Sequence, residues 1–261
     1  MRAIIFIYSN TGNTKLACDY LARKIPSVQW DFCDIKKCHD KIPDNYQLCG
    51  FASYTDAWDV PPYFKEYFTH LKKVNNIPAF VLNTFGFTSG RTLINLARLA
   101  SEKGFQIIGG HSLHMPENYP PMISLGLGNK NAPNKKALLK FNEFINWLSI
   151  TANDIDQEKE IIPKKIDIGL NKILPRYPQS MIHGMIGEKK VNKDKCKKCG
   201  VCARSCPYKN IKLDPYPVFG QTKCSYCWAC YNLCPQQAIY TTKYKKTRYS
   251  RPNEALKEKF N

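Results

Sequence analysis

The sequence has 261 residues, with 39 Lys and Arg against 21 Asp and Glu, a formal net charge of +18, and 12 cysteines. Its 43% hydrophobic content excludes a disordered chain, and no apolar run approaches the ~18 residues that a membrane span needs. No secretory signal precedes the first strand-like run, which favours a cytoplasmic protein. The basic residues are mostly scattered lysines without an aromatic–basic motif, so we expect no nucleic-acid partner.

Strands and helices alternate over residues 1–150, which we assign to one domain. Several of the strands are short, continuous apolar runs, as in parallel strands that are covered on both faces. The pattern predicts an α/β fold with a doubly wound parallel sheet. The predicted strands are 2–8, 27–33, 47–54, 78–84 and 105–112, and the predicted helices are 13–25, 61–71, 89–103 and 133–150.

A polar loop follows the first strand and opens a helix; it consists of Ser9, Asn10, Thr11, Gly12, Asn13 and Thr14. Free backbone N–H groups and the helix dipole favour an anion at such a helix start. No Lys follows the Gly, which excludes an ATP-type P-loop, and the G-x-G-x-x-G pattern is absent. A turn that only caps the helix is the alternative, but the place after the first strand favours phosphate binding.

The loop follows the pattern S/T-x-T-G-x-T, and with it residues 1–150 resemble the flavodoxins. This resemblance implies a five-stranded sheet in the order 2-1-3-4-5 that binds FMN at the carboxyl ends of its strands. It also implies that the loops after the third and fourth strands grip the flavin ring, for which Trp58 is our first choice as the stacking side chain. The expected contacts in these two loops are Tyr54, Trp58, Asn83, Thr84, Phe85, Gly86 and Phe87.

Two histidines, His111 and His114, follow the fifth strand on the same edge of the sheet. A histidine there can supply protons near physiological pH. The alternative is a proline-rich loop, 111–121, with ordinary histidines. The pattern leaves both interpretations open.

Four cysteines lie outside the densest part of the cysteine pattern. Cys33 and Cys38 precede His39, which suggests a further metal site, but the spacing fits no such site well. We expect these two, together with Cys18 and Cys49, to be reduced thiols that bind no metal.

The other eight cysteines form a repeat of 28 residues, after a segment 151–190 that we interpret as a linker. Each unit is C-x2-C-x2-C-x3-C-P, a spacing that suits iron–sulfur clusters, whereas zinc sites usually use two separated pairs. The fourth cysteine of each run is expected to bind the cluster of the other run. This assigns one [4Fe–4S] cluster to Cys196, Cys199, Cys202 and Cys234, and a second to Cys224, Cys227, Cys230 and Cys206.

Residues 192–240 resemble the bacterial-type two-cluster ferredoxins, and we assign 191–261 to a second domain with a basic tail. The resemblance implies electron transfer at low potential. Such ferredoxins are usually acidic, whereas Lys195, Lys197, Lys198 and Lys223 surround these ligands. Because cations stabilise the more negative reduced cluster, we expect a raised potential.

As a whole the chain resembles flavodoxin–ferredoxin fusion proteins of anaerobes. We expect electrons to pass between the two clusters and FMN, linking a ferredoxin-type donor to a downstream acceptor. The alternative is an FMN-dependent oxidoreductase that reduces a small molecule. Residues 151–261 carry 22 basic and 10 acidic side chains, so an acidic redox partner is expected to bind there.

Overall fold

The computed structural model describes residues 1–38, 45–169, 171, 186–220, 223–249 and 251–261. Five parallel strands form one sheet in the order β2-β1-β3-β4-β5. This is the order that the flavodoxin resemblance implied, so the predicted fold class is confirmed. The strands are β1 (Arg2–Tyr8), β2 (Gln29–Asp34), β3 (Leu48–Tyr54), β4 (Ile77–Phe85) and β5 (Phe105–His114).

Both faces of this sheet are covered by helices, which explains the continuous apolar runs in the sequence. Successive side chains of a strand point to opposite faces, and Ile5 and Phe6 accordingly belong to two different core clusters. The helices α1 (Asn13–Lys24) and α5 (Lys135–Asp156) contribute to the first cluster. The helices α2 (Pro62–His70) and α3 (Thr92–Glu102) contribute to the second.

Two helical features differ from the sequence-based prediction. A short helix, α4 (Pro120–Ser124), follows β5 where the sequence indicated only a loop. The helix α5 continues to Asp156, beyond the predicted end at 150, because buried Thr151 and Ala152 extend its apolar face. Its amino end is fixed by Asn134, whose side-chain oxygen accepts a hydrogen bond from the Ala137 N–H at 2.8 Å.

The cysteine-rich part of the chain is built from small elements. β6 (Lys189–Val191) pairs antiparallel with β9 (Ile239–Thr241), and β7 (Ile211–Asp214) pairs antiparallel with β8 (Tyr216–Phe219). Two short helices, α6 (Val201–Ser205) and α7 (Ala229–Asn232), each follow the start of a cysteine run. Their shared core is small, and its buried members are Ile186, Cys202, Ile211, Trp228, Cys230, Tyr231 and Ile239.

The described part of the predicted linker runs beside the fifth strand. The Lys164 N–H donates a hydrogen bond to the Ile108 carbonyl at 2.7 Å, and the side chain of Ile168 is buried in the second core cluster. The first part of 151–190 therefore packs on the sheet, and 170, 172–185 lie outside the described residues. The limits at 150 and 190 stay predictions.

The last segment of the chain returns to the first domain. The helix α8 (Glu254–Glu258) places Leu256 and Phe260 in the same core cluster as Ile5. The Phe260 ring meets the Tyr20 ring edge-on at 5.2 Å between centroids, and Arg23 donates a hydrogen bond to the Phe260 carbonyl. The flavodoxin-like core is therefore completed by residues that follow the cysteine repeat.

The four cysteines outside the repeat have two different states. Cys18 and Cys49 are buried free thiols, as predicted. Cys33 and Cys38 were expected to be reduced, but the structure joins them in a disulfide. The reason is a turn after β2 that folds back, since the Cys38 N–H donates to the Asp34 carbonyl at 3.0 Å and brings the two side chains together. His39 lies outside the described residues.

Within the described ranges, no helix is at once long and apolar enough to cross a membrane.

Candidate functional site

The polar loop Ser9–Thr14 lies at the carboxyl edge of the sheet and lines a narrow cleft. Gly12 has a φ of 109°, which side-chain-bearing residues rarely adopt, so the chain can turn here into α1. The buried Thr14 hydroxyl lies 2.8 Å from that of Thr84, at the end of β4. The loop residues that line the cleft are Ser9, Asn10, Thr11, Asn13 and Thr14.

The chemistry of this loop fits a phosphate group. None of the backbone N–H groups from Asn10 to Thr14 donates a hydrogen bond to another described residue. Buried amides without acceptors are costly. A phosphate bound here would satisfy these donors at the start of α1.

The structure brings together some of the residues that the sequence predicted as contacts in these two loops. Tyr54, Thr84, Phe85 and Gly86 line the cleft, whereas Trp58, Asn83 and Phe87 do not. Asn83 is fully buried and donates to Thr55 Oγ1 at 2.9 Å. Trp58 stands beside α3, where its carbonyl accepts from the Arg91 N–H at 2.8 Å. In this conformation the rings available to a flavin are therefore those of Tyr54 and Phe85.

The cleft is closed by a segment that the sequence indicated only in general terms. Met115, Pro116, Glu117 and Asn118 line it beside Phe85 and Gly86, since the Met115 N–H donates to the Phe85 carbonyl at 2.8 Å. Asn118 Nδ2 donates to Thr11 Oγ1 at 3.0 Å. The Glu117 carboxylate accepts from the N–H groups of Asn118 and Tyr119 at 2.8 and 2.9 Å. Burial nevertheless raises the pKa of Glu117. Only its position after β5 signalled this segment in the sequence.

The two histidines at the end of β5 differ in their surroundings. His114 stacks on Phe85, and its Nε2 lies 2.7 Å from the Gly86 carbonyl. His111 instead lies between the rings of Phe141 and Phe144, with centroids 5.4 and 5.5 Å away. Burial lowers the pKa of His111 to about 4, and two lysines add to this. His111 is therefore a neutral core residue rather than a proton donor at the cleft.

This placement predicts how stability depends on pH. An unfolded histidine has a pKa of about 6.5, so between pH 6.5 and 4 only the unfolded chain binds this proton and the folded state loses stability as the pH falls. Replacing His111→Leu removes the effect. From pH 7 to pH 5 the free energy of unfolding of the variant should rise relative to wild type by about 2 kcal/mol. Urea unfolding at both pH values measures this, and an unchanged difference would contradict it.

The eight cysteines of the repeat line two cavities. A cavity of about 450 Å³ is lined by Cys206, Cys224, Cys227 and Cys230, which we call the inner set. A smaller cavity is lined by Cys196, Cys199, Cys202 and Cys234, the outer set. All eight are free thiols. Each cavity therefore combines three cysteines of one run with the fourth cysteine of the other, and the assignment of these sets as cluster ligands stays a prediction.

Hydrogen bonds to sulfur surround these cavities. The two Cys-Pro cysteines are equivalent: Asn210 N–H donates to Cys206 Sγ at 3.4 Å, and Ala238 N–H donates to Cys234 Sγ at 3.3 Å. Such bonds stabilise thiolate ligands. Four thiols around an open volume suit a multi-iron group, because its corner irons are each bound by one thiolate.

A lysine that the sequence gave no reason to select lies at the inner set. Lys189 Nζ is 2.7 Å from Cys224 Sγ and 4.4 Å from the centroid of the Tyr226 ring. Burial alone would lower the pKa of Lys189, but the thiols of the inner set raise it overall. The inner cavity thus has a fixed positive charge in contact with one ligand.

The inner set lies against the cleft. Asn10 Nδ2 donates to Tyr54 Oη at 2.8 Å and to the Cys227 carbonyl at 3.4 Å. Asn232 Nδ2, in α7, donates to the Asn118 carbonyl at 2.8 Å. One side chain of the polar loop therefore joins the lining of the cleft to a ligand of the inner set.

Burial raises the pKa values of several groups between the cleft and the inner set. Burial raises the pKa values of Tyr8 and Tyr54 well above the ordinary value for a phenol. Burial also raises the pKa of Asp56 to about 7, although Lys65 opposes the shift. The two phenols therefore carry no charge at neutral pH, whereas Asp56 is only partly protonated.

Comparisons with known proteins give separate matches for the two parts of the chain. Residues 189–212 match the family described as "4Fe-4S binding domain". No curated protein matches the chain.

Solved structures similar to the chain include flavodoxins. A flavodoxin from the domain Archaea is 14% identical over 60% of this chain and 99% of its own, with a TM-score of 0.44. The two-electron reduced flavodoxin of Megasphaera elsdenii is 18% identical over 49% of this chain and 97% of its own, with a TM-score of 0.37. Rubredoxin oxygen:oxidoreductase from the anaerobe Desulfovibrio gigas is 17% identical over 59% of this chain and 36% of its own, with a TM-score of 0.42. The first part of the chain therefore has a flavodoxin-like sheet order, and residues 189–212 match the 4Fe-4S binding family.

Proposed function

We propose that the protein transfers electrons between two [4Fe–4S] clusters and FMN held in the same chain, and so links a ferredoxin-type donor to a downstream acceptor. The observation that carries this proposal is the Asn10 side chain, which contacts both the cleft lining at Tyr54 and the Cys227 carbonyl. Because both sites belong to one chain, each site experiences the other at a high effective concentration.

The residues have distinct parts in this proposal. FMN exchanges one or two electrons and each cluster exchanges one. The loop Ser9–Thr14 would hold the phosphate through its N–H groups, and Tyr54 and Phe85 would contact the flavin ring. The inner and outer sets would each hold one cluster. Asn10 and Asn232 fix the distance between the two domains.

Anaerobic purification tests the cofactor content. We expect about eight iron atoms, about eight sulfides and about one FMN per chain, because each four-iron cluster carries four sulfides. Zinc in place of iron, or a preparation that binds no FMN on reconstitution, would contradict the proposal.

A variant of the phosphate loop tests the flavin site directly. Thr14→Val removes the buried hydroxyl that lies 2.8 Å from Thr84 Oγ1, and we expect FMN to bind about tenfold more weakly. Thr151→Val is the matched control, since it removes a buried hydroxyl that donates to the Trp147 carbonyl in α5. Fluorescence titration with FMN measures both Kd values, and equal changes in the two variants would assign the effect to stability alone.

A second candidate function is an FMN-dependent reductase of a small molecule. The segment Met115–Asn118 packs beside Phe85 and Gly86 in the lining of the cleft, which gives an ordered wall beside the expected flavin. Rapid oxidation of the reduced holoprotein by a small molecule, without any partner protein, would favour this function over electron transfer between proteins.

A further inference from the structure

The inner and outer cysteine sets have opposite surroundings. The inner set contacts the first domain through the Cys227 carbonyl, and its neighbour Trp228 meets the Tyr119 ring at 6.0 Å. Tyr208, which lines the inner cavity, meets the Tyr63 ring at 5.2 Å. The outer set makes no comparable bond to the first domain among the described residues.

The outer set is also the one that reaches the surface. Cys199 is exposed. Leu213 of β7 lies next to Gly200 and is 44% exposed. Around them stand Lys193, Lys195, Lys197 and Lys198, all exposed, with only Asp194 of opposite charge in that stretch. We call Cys199, Leu213 and these four lysines the outer patch.

The lysines of the outer patch are held in place. The ammonium groups of Lys193 and Lys198 lie over the Tyr216 ring, 5.6 and 4.8 Å from its centroid. Lys197 and Lys198 line the outer cavity itself. An exposed apolar side chain with a rim of ordered charges of one sign is the usual form of an electrostatically guided contact.

We propose that the outer patch is the docking surface for a small acidic electron-carrier protein, and that the inner set faces the flavin domain. The proposal rests on the proposed function, which supplies the cofactors of both sets. The basic patch complements the charge of an acidic carrier, because four lysines and one aspartate lie between 193 and 198 beside the exposed Cys199. On contact, one electron would leave the reduced carrier, which is oxidised, and this chain would be reduced by one electron at the outer set.

A charge-reversal pair tests the surface. Lys193→Glu with Lys195→Glu changes the patch by four charge units without removing a cysteine or a cavity-lining residue. Lys72→Glu with Lys73→Glu is the matched control, because these exposed lysines follow α2 at the opposite, amino edge of the sheet. The probe is a purified acidic two-cluster ferredoxin. Its Kd for the holoprotein is measured calorimetrically at low and high salt, and its reduction of the holoprotein by stopped flow.

We expect the patch variant to raise the Kd and slow the bimolecular reduction by at least about tenfold at low salt, and to flatten the salt dependence. The control should change either value by less than about twofold. Equal effects in the two variants would show that net charge alone matters, and no binding by wild type would overturn the proposal. Iron and FMN contents of each preparation report separately on the proposed function, since the Kd requires no electron transfer.

Discussion

Replacing Lys189→Met should lower the reduction potential of the cluster that we propose at the inner set by an amount on the order of 100 mV. The Lys189 ammonium lies 2.7 Å from Cys224 Sγ and is half-buried, so water screens it weakly. A unit charge about 5 Å from the added electron contributes ~3 kcal/mol at an effective dielectric constant of about 20. For one electron, a tenfold change in equilibrium corresponds to about 59 mV.

Two further variants separate charge from structure. Lys189→Arg keeps the positive charge and should retain most of the potential. Lys190→Met removes the neighbouring exposed lysine, whose ammonium lies 3.7 Å from Glu188, and should have little effect because surface charges are screened. A redox titration followed by electron paramagnetic resonance measures all four proteins. Equal potentials in wild type and the Met variant would refute this role for Lys189.

Replacing Phe260→Ala should detach the end of the chain from the flavodoxin-like domain. The Phe260 side chain is fully buried and packs on Tyr20, and deletion of a buried phenylalanine costs about 3–5 kcal/mol. Hydrogen exchange of residues 251–261 should therefore become much faster. Phe32→Ala is the matched control, since Phe32 is 42% exposed and should cost less than about 1 kcal/mol.

The same variant should weaken flavin binding. Pro252 packs over Gly12, where an added Cβ would come within 3.2 Å of its ring, and Tyr249 Oη donates to Asn13 Oδ1 at 2.6 Å. Loss of these contacts frees the loop Ser9–Thr14, so the FMN that we propose there should dissociate faster from Phe260→Ala than from Phe32→Ala. Unchanged exchange rates at 251–261 would show that the segment is held by other contacts.

The sheet could be predicted from the sequence because its signal is local. Continuous apolar runs such as Ala3–Ile7 mark strands that are covered on both faces, and the polar loop at Ser9–Thr14 marks the sheet edge at which ligands bind. The cysteine sets could be predicted for a similar reason, since fixed spacing determines which thiols reach one cavity.

Features that depend on contacts between residues far apart in the sequence could not be predicted. Lys189 is one lysine among 31 in the sequence, and only the β6–β9 pairing brings it to Cys224. Trp58 follows β3 as expected, but its backbone bonds to α3 leave it outside the cleft. The contact of Asn10 with Cys227 joins residues more than 200 positions apart, and no local pattern encodes such a pair.

The return of Leu256 and Phe260 to the core of the first domain has a consequence for biosynthesis. That core includes β1 at one end of the sequence and α8 near the other, so the cysteine-rich part is an insertion within the flavodoxin-like domain. A ribosome must complete the cysteine repeat before the first domain can close its own core. Closure of the first domain's core is thereby coupled in time to synthesis of the cysteine repeat.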